Sequence, residues 1–261
     1  MKWHRIWAMT LRHLRQLSRD FNETLSIFFW PFINILLFGF IGLWMARDMN
    51  DPTRQLQLLA GIMVLQIINR STISTALCLF DELRSRNLTN LFASPLTLQE
   101  WIVASCLKGL ITCGILFAFC GLVIKLIFNI NVLAVGLWFI PIIVLALLSS
   151  LSLGFVAIAV LLRWGMDGNS VIWMVAQLFN IVSGALYPIA IIPQALQTVA
   201  YYLPFVYQFD ALHLLIKSNI VSARLLLLCL FINLFYLVIT YALLVRSFKK
   251  SMRLGLERLM D

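Results

Sequence analysis

Six apolar runs divide this chain, and they constrain its fold more than any other feature. A crossing helix needs ~20 largely apolar residues, because lipid offers the backbone no hydrogen-bond partners. The runs fall at 25–46, 55–79, 101–127, 132–162, 169–188 and 224–245. The fourth is long enough to tilt or to project beyond the bilayer. Composition agrees: 62% of the 261 residues are hydrophobic and 12% are charged, about half the charged share of a soluble domain. The expectation is an all-α polytopic membrane protein with six transmembrane helices in one domain, 1–261. The first run is too long for a signal-peptide core and lacks a small-residue cleavage pattern, so no cleavable leader is expected.

Residues 1–21 differ in kind. Trp3, Trp7, Leu11, Leu14, Leu17 and Phe21 recur at three- and four-residue steps, with Lys2, Arg5, Arg12, Arg15 and Arg19 on the remaining surface. Such a stripe predicts an amphipathic interfacial helix lying in the headgroup layer. Lys and Arg then orient the chain. With the N-terminus inside, thirteen fall in inner segments and four (Arg47, Arg54, Lys217 and Arg224) in outer ones. Both termini are therefore expected in the cytoplasm, in a cell inner (plasma) membrane. The net charge of +9 is spread along span flanks, so no nucleic-acid partner is expected.

Two segments depart from the simple pattern. Residues 81–93 carry an apolar stripe opposite Asp81, Glu82, Arg84, Arg86 and Asn87, and Ser94-Pro95 stops the helix. Thr97 and Glu100 have capping-box spacing at the start of the third run. A short cytoplasmic helix across the membrane surface is expected there. Residues 189–223 stay apolar but are broken by Pro193 and Pro204, just after Pro188. An outer re-entrant hairpin at 189–207 is expected, with Tyr187, Pro188, Tyr201 and Tyr202 as pathway or gate candidates beside an aromatic-belt reading. Asp51-Pro52 reads as a helix start.

Polar residues inside the runs are few. Arg70, with Asn69 and Gln66 nearby, sits about 12 Å from the end of the second run at ~1.5 Å per residue. Two roles stay open for it: a pathway or gate residue, or a structural bond to carbonyls and polar side chains. Lys108 and Lys125 are expected to snorkel. Ala146, Ser150, Gly154 and Ala157 form a small-residue stripe expected to pack within the subunit. Cys106, Cys113 and Cys120 share a helix face, and none of the five cysteines has metal-site spacing. His4, His13 and His213 are scattered, Asp210 and His213 suggest a local hydrogen bond, and no catalytic constellation is visible.

The segment ending "NLFASPLTLQEWIVA", the run "SGALYPIAIIPQALQTVAYYLPFVYQFDAL" before the last span, and the six-span layout behind an amphipathic helix together resemble the permease subunit of ABC type-2 transporters. The resemblance implies a homodimer or pseudo-dimer of such subunits, each engaging a cytoplasmic ATP-binding subunit. It implies that 81–93 is the coupling helix, with Asp81, Glu82, Arg84, Arg86 and Asn87 meeting that partner, and that 189–207 gates the exit. ATP and Mg would sit on the partner, and no cofactor on this chain, which lacks a P-loop. The family often carries glycine-threonine where this chain has Arg86-Asn87.

The function expected is thus the membrane subunit of an ATP-driven exporter of a polysaccharide, lipid or small hydrophobic substrate, not itself an enzyme. An intramembrane lipid- or glycan-modifying enzyme is the alternative, and would turn over substrate without a partner. A channel or ion-coupled carrier is disfavoured because no Asp or Glu falls deep in any expected span.

Overall fold

A computed structural model describes residues 1–48, 50–51, 53–219 and 221–255. Pro52 and Arg258 lie outside the described residues. Among those described, the chain is helical: α1 (Trp3–Arg19), α2 (Phe21–Asp48), α3 (Thr53–Arg84), α4 (Leu88–Ala93), α5 (Leu98–Phe128), α6 (Phe139–Trp164), α7 (Asn169–Val182), α8 (Gln194–Tyr201), α9 (Pro204–Ser218) and α10 (Ala223–Leu254). The protein is all-helical and polytopic. Helices α2, α3, α5, α6 and α10 are long and apolar enough to cross a membrane, and α8 with α9 makes a sixth candidate, bent by 92°.

Helix α3 is the axis of the bundle and packs on α2, α5, α6, α7 and α9. It is almost wholly buried, whereas α2 and α10 expose broad apolar faces. In lipid, close backbone approach replaces hydrophobic collapse as the packing force. Gly154 on the small-residue stripe of α6 leaves room for Thr75, since an added Cβ would lie 3.2 Å from the Thr75 Cβ. Beside it, the Thr72 hydroxyl donates to the Ser150 carbonyl at 3.2 Å. Gly61 is tighter, because a Cβ there would come within 2.6 Å of the Ala185 carbonyl oxygen.

Two parallel neighbours reveal the path of the chain. Ser149 Oγ donates to Asn233 Oδ1 at 2.7 Å, and the Phe155 and Tyr241 rings lie 6.1 Å apart, so α6 and α10 run in the same direction. Residues 165–222 must therefore return once between the two ends. Ile172 and Ala176 of α7 pack at the α1 end with Leu161 and Leu244. Tyr187 and Ile191 reach a cavity shared with Arg54 and Lys217 at the opposite end. Helix α8 then dips to bring Ala200 against Val182, and α9 rises again to Lys217. The pair turns within one side of the bundle, as a re-entrant hairpin does.

Several boundaries differ from the sequence expectation. Helix α3 continues past 79 because Leu79, Glu82 and Leu83 keep burying the same side. The run at 132–162 is split into a 3-10 turn, Val132–Val135, and α6 by Gly136, whose φ of +94° breaks the helix. Helix α7 has only 14 residues and stops before Gly184, at φ +75°. Helix α10 runs on to Leu254 because Phe248 and Ser251 extend its buried stripe.

Candidate functional site

The polar segment after the second crossing forms an elbow rather than one helix over 81–93. Asp81, Glu82 and Arg84 belong to the last turn of α3. The helix then closes with paired backbone bonds, Arg86 N to Leu83 O at 2.9 Å and Asn87 N to Glu82 O at 3.0 Å. This is a Schellman turn, and it puts Arg86 in the left-handed region at φ +52°. The resemblance placed glycine at this position, and the dihedral supplies the reason. Helix α4 follows, with Leu88 and Leu91 buried beneath it. Phe92 meets Phe248 of α10 edge to face, ring centroids 4.7 Å apart. The solvent side of the elbow presents Arg84, Arg86, Thr89 and Asn90.

Helix α1 is clamped to this elbow by two carboxylates. Glu82 is buried, and its Oε2 accepts from Arg12 Nη2 at 2.8 Å and Asn87 Nδ2 at 2.9 Å. Glu100 completes the expected capping box, accepting from Thr97 N at 3.0 Å while Thr97 Oγ1 accepts from Glu100 N at 3.3 Å. Its other oxygen accepts from the Lys2 backbone N at 2.7 Å. Arg5 adds a bond to the Pro95 carbonyl. Of the five expected partner-facing residues, Arg84 and Arg86 are exposed, Asp81 and Asn87 half-buried, and Glu82 internal. His13 sits on the buried face of α1, and burial, reinforced by Lys108 and Arg12, pushes its imidazole down to about 3.

A second polar cluster crosses the bundle interior. Glu23 of α2 accepts from Arg70 Nη2 at 3.3 Å and from Lys108 Nζ at 3.4 Å. Arg70 Nη1 also lies 3.5 Å from Ser26 Oγ. Lys108 is 0% exposed, so the snorkelling expectation is corrected: its chain turns inward because a carboxylate waits there. The acid comes from a helix end rather than from deep in a span, since α2 begins at Phe21 and carries Glu23 in its first turn. Sequence reasoning missed Glu23, although an acid two residues ahead of an apolar run, opposite two intramembrane cations, was the available signal.

The remaining candidates are separated by the fold. Asn69 and Arg70 lie together in mid-bundle, lining a groove with α2 and α7. Tyr187 and Pro188 line a cavity of about 530 Å³ at the far end with Arg54, Asp210, His213 and Lys217. Tyr201 and Tyr202 sit at the bend between α8 and α9, both exposed. Among the described residues no cluster of three metal-ligating side chains occurs.

A polytopic helical bundle with an elbow after its second long apolar helix and a bent hairpin before its last helix defines a membrane-embedded, all-helical protein. Residues 4–216 match the ABC-2 type transporter family, and the chain belongs to it. It is the membrane component of such a transporter, a domain type that carries no nucleotide-binding domain. The match ends within α9. Comparison with curated proteins gave no match.

Proposed function

We propose that this chain is the membrane-spanning subunit of an ATP-driven exporter, working as a homodimer with a separate cytoplasmic ATP-binding subunit at each copy. The observation that carries the reading is the clamped elbow. Glu82 and Glu100 join α1, the end of α3, α4 and the start of α5 into one unit. A unit held so firmly passes a push from a soluble partner to the bundle, where a loose loop would absorb it. Arg84, Arg86, Thr89 and Asn90 offer that partner a polar face. The family to which the chain belongs supports the pairing, since its membrane subunits work with ATPases.

In this reading the α1 end is cytoplasmic in an inner (plasma) membrane, and the C-terminus of α10 lies at the same end. The charge asymmetry along the sequence supports that orientation. ATP binding on the partners drives the two elbows together, the crossing helices rearrange, and the bent hairpins open the far side. The cargo is a polysaccharide, a lipid or a small hydrophobic compound.

The test is purification of the tagged chain from its host in mild detergent, followed by ATPase assays in liposomes. A stoichiometric ATP-binding protein, whose turnover falls on Arg84→Glu, is the expected result. A chain that purifies alone, or that turns over lipid or glycan without nucleotide, would overturn the proposal in favour of an intramembrane enzyme.

A further inference from the structure

The groove between α2, α3 and α7 is polar for a bundle of membrane-crossing length. Its volume is about 410 Å³. From α2 come Trp30 and Asn34, from α3 Asn69 and Arg70, and from α7 Trp173 and Gln177. On α7 the polar side continues, with Ser170, Trp173, Gln177 and Asn180 recurring at three- and four-residue steps. Polar side chains facing hydrocarbon are expensive, so a row of them marks a water-filled or substrate-filled space.

Arg70 gives the groove its sign. It is 5% exposed, yet its Nε has no hydrogen-bond partner. Its one carboxylate, Glu23, is shared with Lys108. The next acid on α3 is Asp81, eleven residues further along and so about 16 Å away on the helix. The guanidinium is therefore only partly neutralised. Asn69, 6% exposed, likewise leaves its Oδ1 without a partner and can accept from a hydroxyl. An under-neutralised guanidinium, an unpaired amide oxygen and two indole rings suit one kind of ligand. Arginine meets an anion with directed N–H donors, amides pair with hydroxyls, and indole faces stack on sugar rings.

We propose that this groove binds an anionic, hydroxyl-bearing headgroup of the sugar-phosphate class, with Arg70 on its charge and Trp30 and Trp173 on its ring. As a step in transport this rests on the exporter reading, because it names the cargo's recognition element. The binding itself is testable apart from it.

The full chain in phosphatidylcholine nanodiscs is titrated with glucose 1-phosphate, or prepared with added phosphatidylinositol, and its Tm is followed. Sodium sulfate at matched ionic strength and maltose serve as controls. A saturable rise with glucose 1-phosphate assigns the site to a free sugar phosphate, and a rise with phosphatidylinositol alone assigns it to a lipid headgroup. Either supports the proposal if Arg70→Gln and Gln177→Leu each weaken the response roughly tenfold. Gln177 is exposed and outside the ion cluster, so that variant decides the matter if Arg70→Gln fails to fold. No rise with either probe, an equal rise with the controls, or an unaltered response in Gln177→Leu would overturn the proposal. ATPase association is scored on the same preparations. Association without headgroup binding removes this inference alone, and headgroup binding without association removes the exporter reading alone.

Discussion

Arg12 Nη2 sits 2.8 Å from Glu82 Oε2, joining the leading amphipathic helix to the last turn of the central one. Glu82 is buried, but the Arg12 side chain is 43% exposed, so solvent screens part of the pair. Glu82→Arg is expected to destabilise the protein by about 1–2 kcal/mol and to release α1. The double variant Arg12→Glu/Glu82→Arg should recover part of that loss. Thermal unfolding in detergent and protease sensitivity of α1 measure both, and a double variant no better than the single would refute the clamp.

Arg84 lies on the exposed side of the same elbow. Arg84→Glu should leave Tm almost unchanged, within about 0.5 kcal/mol of stability, while reducing ATPase association and coupled turnover. The contrast with Glu82→Arg separates a residue that touches a partner from one that holds the elbow in shape. Equal Tm losses in the two variants would contradict that division.

Glu23 compensates two buried cations, and its removal leaves both. Glu23→Gln should cost about 3–5 kcal/mol, the range for breaking one side of a buried pair. Adding Lys108→Met to that variant removes one uncompensated charge and should restore stability despite deleting a second polar group. Comparison of the unfolding midpoints of the single and double variants checks this, and a double variant less stable than Glu23→Gln contradicts it.

Arg86 adopts φ +52° to close α3. A side chain in the left-handed region costs about 1–2 kcal/mol, which glycine avoids. Arg86→Gly is therefore expected to raise stability by about 1 kcal/mol, with any loss of ATPase association read separately. A fall in Tm would show that the Arg86 side chain contributes more to the fold than its backbone strain removes.

His13 is held neutral by burial, its imidazole lowered from 6.5 to about 3. The unfolded chain binds a proton at His13 below 6.5 while the folded chain does not. The stability of α1 docking is therefore complete above 6.5 and falls as pH drops from 6.5 toward 3. His13→Leu should flatten this part of the pH dependence. Unfolding midpoints at pH 5 and pH 7.5 for both proteins check it, and identical pH slopes would exclude His13 as the source.

Much of the architecture follows from local chemistry. Long apolar runs have one outcome in lipid, so α2 and α5 lie within a few residues of where the sequence places them, and α3 and α10 begin there. The Thr97–Glu100 capping box joins residues three apart and is legible without a fold. Breaks were less legible, because Gly136 and Gly184 interrupt helices through backbone conformation that apolar composition does not report.

The candidate site divides on the same ground. Arg70 stood out in the sequence because a charge within an apolar run is conspicuous. Its partner did not, since Glu23 lies 47 residues before Arg70 and 85 before Lys108. The inward turn of Lys108, the burial of Glu82 beneath α1, and the meeting of Trp30 with Trp173 across one groove likewise join residues remote in the chain. The sequence by itself determined that this protein is helical, membrane-embedded and bent before its last span, because periodicity and capping act over a few residues. The tertiary structure alone decided which charges meet, because ion pairing depends on distance in space, and helix packing sets that distance.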